Sequence, residues 1–102
     1  MLTEKEKLVL GRILAESDFN GDRIDITKTW EEQFLEDEEM YQSFVTHRRY
    51  GYDMEKQAFR GIIGSLAKKN LIEVWYDEDD RIPWIFIREK HFNNIVKEYA
   101  GL

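Results

Sequence analysis

Leu10, Ile13 and Leu14, joined by Leu8 or Val9, repeat at the spacing of one helical face near the start of the chain. Thr3 followed by Glu6 is a capping box, in which hydroxyl and carboxylate each satisfy an orphan amide. Together they predict a first helix from Thr3 to about Ser17, ended by a turn from Asp18 to Asp22 around Asn20-Gly21. Ile24 and Ile26 alternate with Arg23, Asp25 and Thr27, the pattern of a very short edge strand. Trp30, Phe34, Tyr41, Phe44 and Val45 return to helical spacing, predicting one kinked helix or two short ones before Gly51 breaks the pattern. Asp53 then reads as the N-cap of an amphipathic helix from Met54 to about Lys69, with Phe59, Ile62, Ile63 and Leu66 on its core face. Leu71 to Tyr76 and Ile82 to Ile87 are β-prone around the polar run Asp77 to Arg81, which predicts a hairpin. Pro83 lacks a ladder donor and belongs near the start of its strand or on an edge. Phe92, Ile95, Val96 and Tyr99 predict a short closing helix.

Composition narrows this to one unit. A chain of 102 residues, 42% hydrophobic and 14% aromatic, is sized for a single domain over residues 1–102 and is too apolar for a disordered acidic tail. The element pattern is α+β and mainly helical. With no cysteine, the sequence excludes disulfides, thiolate zinc sites and thiol nucleophiles. No apolar run approaches the roughly 18 residues of a membrane span, and Met-Leu-Thr-Glu-Lys-Glu has no signal-peptide character. A cytoplasmic protein with no membrane partner is the expectation.

The run from Phe59 through Gly64-Ser65-Leu66-Ala67-Lys68-Lys69-Asn70-Leu71-Ile72 to Val74 resembles the third helix and wing of winged helix-turn-helix domains, of the small bacterial and phage regulator type. Over residues 1 to 90, the order helix, short strand, helix, helix, hairpin matches that family. The resemblance implies a winged helix-turn-helix with a β-hairpin wing and a short closing helix. It also implies that the helix from Met54 to Lys69 is a recognition helix facing the DNA major groove, in a transcriptional, phage or plasmid regulatory role. Opposite its core face stand Gln57, Arg60, Gly61, Gly64 and Lys68. Gln57 and Arg60 suit base edges, whereas Lys56, Lys68, Arg48 and Arg49 suit phosphates. Each helical glycine costs roughly 1 kcal/mol relative to alanine, so both are expected to admit a close neighbour, either a partner or another part of the chain.

Charge pulls two ways. The net charge of −6 disfavours unguided affinity for nucleic acid. Residues 47 to 69, however, hold 6 basic and 2 acidic side chains, against 5 and 12 before them and 4 and 7 after. The basic segment thus contains the expected recognition helix. The hairpin tip Asp77-Glu78-Asp79-Asp80 would be repelled by phosphate. With Glu31, Glu32 and Glu36 to Glu39, it leaves open a protein-interaction module, an accessory factor or DNA mimic that meets a basic protein surface and no DNA. Trp84 and Phe86 on one strand face, with Ile85 and Ile87 on the other, also fit a homodimer through the hairpin or last helix.

Other chemistries find no support in the residues. Asp18, Asn20 and Asp22 have the first three spacings of a calcium loop, but Arg23 stands at the turn glycine and Thr29 at the bidentate glutamate. His47 and His91 do not pair on one helical face, so no metal site is expected. Nucleophile elbows and phosphate-cradling glycine loops are missing, and neither a catalytic centre nor a cofactor is expected.

Overall fold

The computed structural model describes residues 2–16, 24–33, 40–76 and 83–100. The first helix, α1 (Glu4–Ala15), starts on the expected capping box. Thr3 Oγ1 accepts from the Glu6 N–H at 3.1 Å, and Glu6 Oε1 accepts from the Thr3 N–H at 2.9 Å. Val9, Leu10, Ile13 and Leu14 are buried, so of the two alternative residues Val9 faces the core and Leu8 solvent.

Glu6 is buried beside them and does more than cap. It accepts from Ser65 Oγ and Lys69 Nζ, both at 2.8 Å, and so bolts the start of α1 to the far end of the long helix α4 (Lys56–Lys68). Burial alone would raise the Glu6 pKa. The bonds from Lys69, the Thr3 backbone and Ser65 outweigh it and bring the value down from 4.5 to about 2.

Two expected elements are different. Ile24 and Ile26 form no strand, because local side chains take the backbone groups that a ladder needs. Asp25 Oδ1 accepts from both the N–H and the hydroxyl of Thr27, and the Gln33 amide accepts from the Asp25 N–H at 2.7 Å while donating to its carbonyl at 2.9 Å. The Ile24 N–H donates to the Leu14 carbonyl, and its side chain is simply an apolar anchor for a loop. The helix expected across Trp30 to Val45 is confined to the single turn α2 (Trp30–Gln33), and Met40–Phe44 is the strand β1. Tyr41, Phe44 and Val45 imitate helical spacing, but the burial alternates with period two: Tyr41 and Ser43 point inward, Gln42 and Phe44 outward. Phe34 and Glu36 to Glu39 lie outside the described residues, as do the turn expected from Asp18 to Asp22 and the polar run expected to turn from Asp77 to Arg81.

One helical turn, α3 (His47–Tyr50), follows, capped by Thr46 Oγ1 on the Arg49 N–H. Gly51 ends it at an ordinary φ of −132°. What requires glycine is space, since a Cβ here would overlap the Phe59 ring. Asp53 is not the N-cap of α4. Its two carboxylate oxygens instead take both terminal nitrogens of Arg12, each at 2.9 Å, and the Arg12 guanidinium holds the Asp53 carboxyl below its usual range. Glu55 occupies the N-cap with no side-chain bond, and the helix begins at Lys56. Its buried face is the expected Phe59, Ile62, Ile63 and Leu66. Asn70, in the left-handed region at φ 58°, turns the chain out of α4, and the Leu71 N–H returns to the Leu66 carbonyl.

The hairpin forms as expected, from β2 (Glu73–Trp75) and β3 (Trp84–Arg88), and β3 runs without a break into α5 (Glu89–Ala100). All pairings are antiparallel in the order β1-β3-β2, with Phe44 opposite Trp84 and Trp75 opposite Trp84 from the other side. Pro83 sits just before β3, where its carbonyl accepts from the Val45 N–H and its missing donor costs nothing. Ile85 and Ile87 are buried against Tyr41, Leu10, Leu66, Phe92 and Ile95 in one core. At the β3–α5 junction the buried His91 accepts the Arg88 N–H on Nδ1 at 3.0 Å. Burial lowers its pKa, Lys90 and Arg88 act the same way, and Glu73 opposes them. The result is an α+β fold of five helices and one three-stranded antiparallel sheet among the described residues, in which no helix is long and apolar enough to cross a membrane.

Candidate nucleic-acid interface

The solvent face of α4 follows from its amphipathic repeat. With Phe59, Ile62, Ile63 and Leu66 committed to the core, Gln57, Arg60, Gly61, Gly64 and Lys68 are left exposed along the 13-residue helix. A Cβ built on Gly61 or Gly64 meets nothing within 4 Å. Neither glycine therefore makes room for another part of the described chain. The helix forgoes stability here and leaves a low, smooth strip between Arg60 and Lys68.

Each basic side chain has a distinct fate. Arg49 is turned away from this face, ion-paired with Glu16 and lying 5.4 Å from the Tyr50 ring centroid. Lys69 is held by Glu6 at 2.8 Å. Arg48, Lys56, Arg60 and Lys68 form no ion pair with the described residues. The first turn of α4 carries no acidic residue and no side-chain cap, so its unsatisfied N–H groups add a positive end beside Lys56.

Arg48, Lys56 and Arg60 meet at a cleft of about 630 Å3 between α3, α4 and the base of the hairpin, floored by Val45, Phe59 and Ile63. Thus α3 supplies Arg48, the first two turns of α4 supply Lys56 and Arg60, and Thr46 sets the start of α3. Gln57, Gly61, Gly64 and Lys68 do not line the cleft and continue along the helix. Tyr76, Pro83 and His47, which the sequence did not mark as binding residues, complete the walls. Tyr76 and Pro83 lie next to the Trp75–Trp84 pair of the expected hairpin, but nothing in the linear spacing places that part of the hairpin beside α3 and α4. His47 stands edge-on to Phe59 at 5.7 Å, with Nε2 hydrogen-bonded to the Met54 carbonyl.

No family model, curated protein or solved structure matches the chain. The reading of this surface accordingly rests on its own chemistry. Cations with no ion pair among the described residues at the near end of a helix, a polar and nearly flat strip along it, and a second basic group from the preceding turn form an arrangement suited to a polyanion. Because the glycines face open space, Gly61→Ala and Gly64→Ala should each raise the unfolding free energy by about 0.5–1 kcal/mol, measurable by urea denaturation. A loss of stability in either variant would show that the strip is packed.

Proposed function

We propose that the protein binds duplex DNA as a winged helix-turn-helix domain in a regulatory role, with α4 as the recognition helix and the β2–β3 hairpin as the wing. The observation that carries this reading is that, among the described residues, Arg48, Lys56, Arg60 and Lys68 form no ion pair around an exposed face whose two glycines meet no other part of the chain. The order α1, α2, β1, α3, α4, β2, β3, in which α2 is a single turn, and the sheet order β1-β3-β2 support the same reading. Arg60 and Gln57 would reach base edges, and Arg48, Lys56 and Lys68 would meet phosphates. Arg49, engaged with Glu16, would orient α3 and make no phosphate contact.

Anisotropy of labelled duplexes tests this directly. Three phosphate contacts predict a log–log salt slope of about −2.7, a loss of about 40-fold in affinity between 50 and 200 mM salt. Arg60→Glu/Lys68→Glu should abolish binding, and Gly61→Ala/Gly64→Ala should weaken it while stabilising the fold. Flat traces for a wild type folded by circular dichroism would end the DNA reading.

A second reading is favoured by the outer face of the sheet. Phe44 stacks on Trp84 with ring centroids 3.6 Å apart, and Trp75 meets Phe86 edge-on at 5.9 Å. Phe44 is 41% and Trp75 58% exposed, more apolar aromatic surface than one small sheet ordinarily leaves in water. This face supports docking of a protein, foremost a second copy of the chain. Light scattering at micromolar concentration checks it: a dimer should dissociate on Trp75→Ser/Phe44→Ser, and a monomeric wild type would remove the self-association.

A further inference from the structure

The cations around α4 suit a phosphate backbone, but the cleft beneath three of them has a feature that a backbone has no use for. Lys56, Phe59, Arg60 and Ile63 stand at i, i+3, i+4 and i+7 and form one wall, in which apolar and cationic residues alternate in depth. Val45, Phe59 and Ile63 lie at the bottom, each under 5% exposed, while the exposed Arg48, Lys56 and Arg60 stand at the rim. The space of about 630 Å3 is the size that small-molecule sites occupy. Ring-bearing side chains line it: the buried Phe59, with Tyr76 and Pro83 from the hairpin. Tyr76 is 69% exposed and free to lie over an occupant.

We propose that this cleft binds a small organic anion with a flat apolar body, an aryl carboxylate in chemical class. The ring would enter between Phe59 and Pro83, replacing water over a hydrophobic floor. Its carboxylate would remain at the rim, where Arg60 or Arg48 offers a bidentate guanidinium and Lys56 and the uncapped start of α4 add positive potential. A neutral aryl compound would leave three neighbouring cations uncompensated. A bare inorganic anion would leave the floor wet. Binding to the cleft stands without the DNA reading; one consequence rests on it, namely that an occupied cleft withholds Arg48, Lys56 and Arg60 from phosphates, so that ligand and DNA exclude one another.

The test is a titration of the isotope-labelled full chain, followed by amide shifts, with naphthoate, naphthamide and inorganic phosphate as probes. Naphthoate should give saturable shifts confined to residues 45–48, 56–63 and 76, with naphthamide and phosphate each weaker by about tenfold or more. Arg60→Ala/Lys56→Ala should cost naphthoate about tenfold in affinity at an unchanged melting temperature. Equal binding of the amide, equal binding of phosphate, shifts scattered away from the cleft, or no saturation at millimolar naphthoate would each overturn the proposal. A parallel anisotropy competition separates the two ideas. Where wild type binds DNA, saturating naphthoate should release it, and failure to do so overturns the exclusion alone. Where wild type binds no DNA, the DNA reading falls and the naphthoate titration decides the cleft by itself.

Discussion

Glu6→Gln is expected to lower the unfolding free energy by about 3 kcal/mol at neutral pH, and to lower it much less in acid. The buried carboxylate is held ionised by Lys69 Nζ, Ser65 Oγ and the Thr3 N–H, which places its folded-state pKa at about 2 against 4.5 ordinarily. A depressed carboxylate pKa means that the unfolded chain takes up the proton first. Its contribution is therefore complete well above pH 4.5 and is lost as pH falls toward 2. By about pH 3 less than half should remain, so the gap between urea curves for wild type and Glu6→Gln should be markedly smaller there than at pH 7. A gap of equal size at pH 7 and pH 3 would show that the charge on Glu6 is not what stabilises. His91 acts in an earlier window. Its pKa is lowered by burial, so the unfolded chain binds protons more readily as pH drops through the usual 6.5 and stability declines from there. Wild type should thus lose stability in two steps on acidification, and His91→Asn, which keeps an acceptor for the Arg88 N–H, should remove the first.

The second large effect is expected at Gly51→Ala, at about 2–3 kcal/mol, although no backbone strain is involved. The φ of −132° suits any residue. The cost arises because the new methyl would overlap the Cδ1 and Cγ atoms of Phe59, which is buried at 4% exposure and backed by the core cluster. Neither partner can retreat cheaply in a close-packed interior. Shortening the partner should relieve the collision: Phe59→Leu and Gly51→Ala together should cost less than the sum of the two alone, by about 1 kcal/mol or more. Additive costs in that double-mutant cycle would disprove the contact as the cause.

Legibility in the sequence followed the range of the interactions. The capping box of α1, the core face of α4 and the closing helix are decided by side chains within a turn or two; the Thr3–Glu6 motif revealed the first and periodicity the other two. The hairpin was legible because two β-prone runs flank a polar one. Strand β1 was not. Its residues pair with Trp84 to Arg88, some forty positions away, and nothing near Met40 announces that partner. Asp53 misled for a similar reason: it has the composition of a cap, but Arg12, distant in sequence, offers it two charged hydrogen bonds where the helix start would offer one or two neutral donors. On α4, the solvent exposure of Gln57, Arg60, Gly61, Gly64 and Lys68 was legible from the helical repeat. The sequence did not separate Arg49 from Arg48, because the difference lies in Glu16 at the C-cap of α1, distant in sequence.

The placement of β3 also bears on how the molecule assembles. This strand is the middle of the sheet and continues directly into α5, so the β2–β3 hairpin and the last helix can organise within one short stretch of chain. Adding β1 requires closing a loop from Phe44 to Trp84 that contains α3, α4 and β2. β1 should then be the last strand to dock in folding and the first to detach in native-state fluctuations. Amides of Met40 to Phe44 bonded to β3 should exchange with solvent sooner than those joining β2 to β3, and each such opening would briefly uncover Tyr41 and the inner side of the sheet.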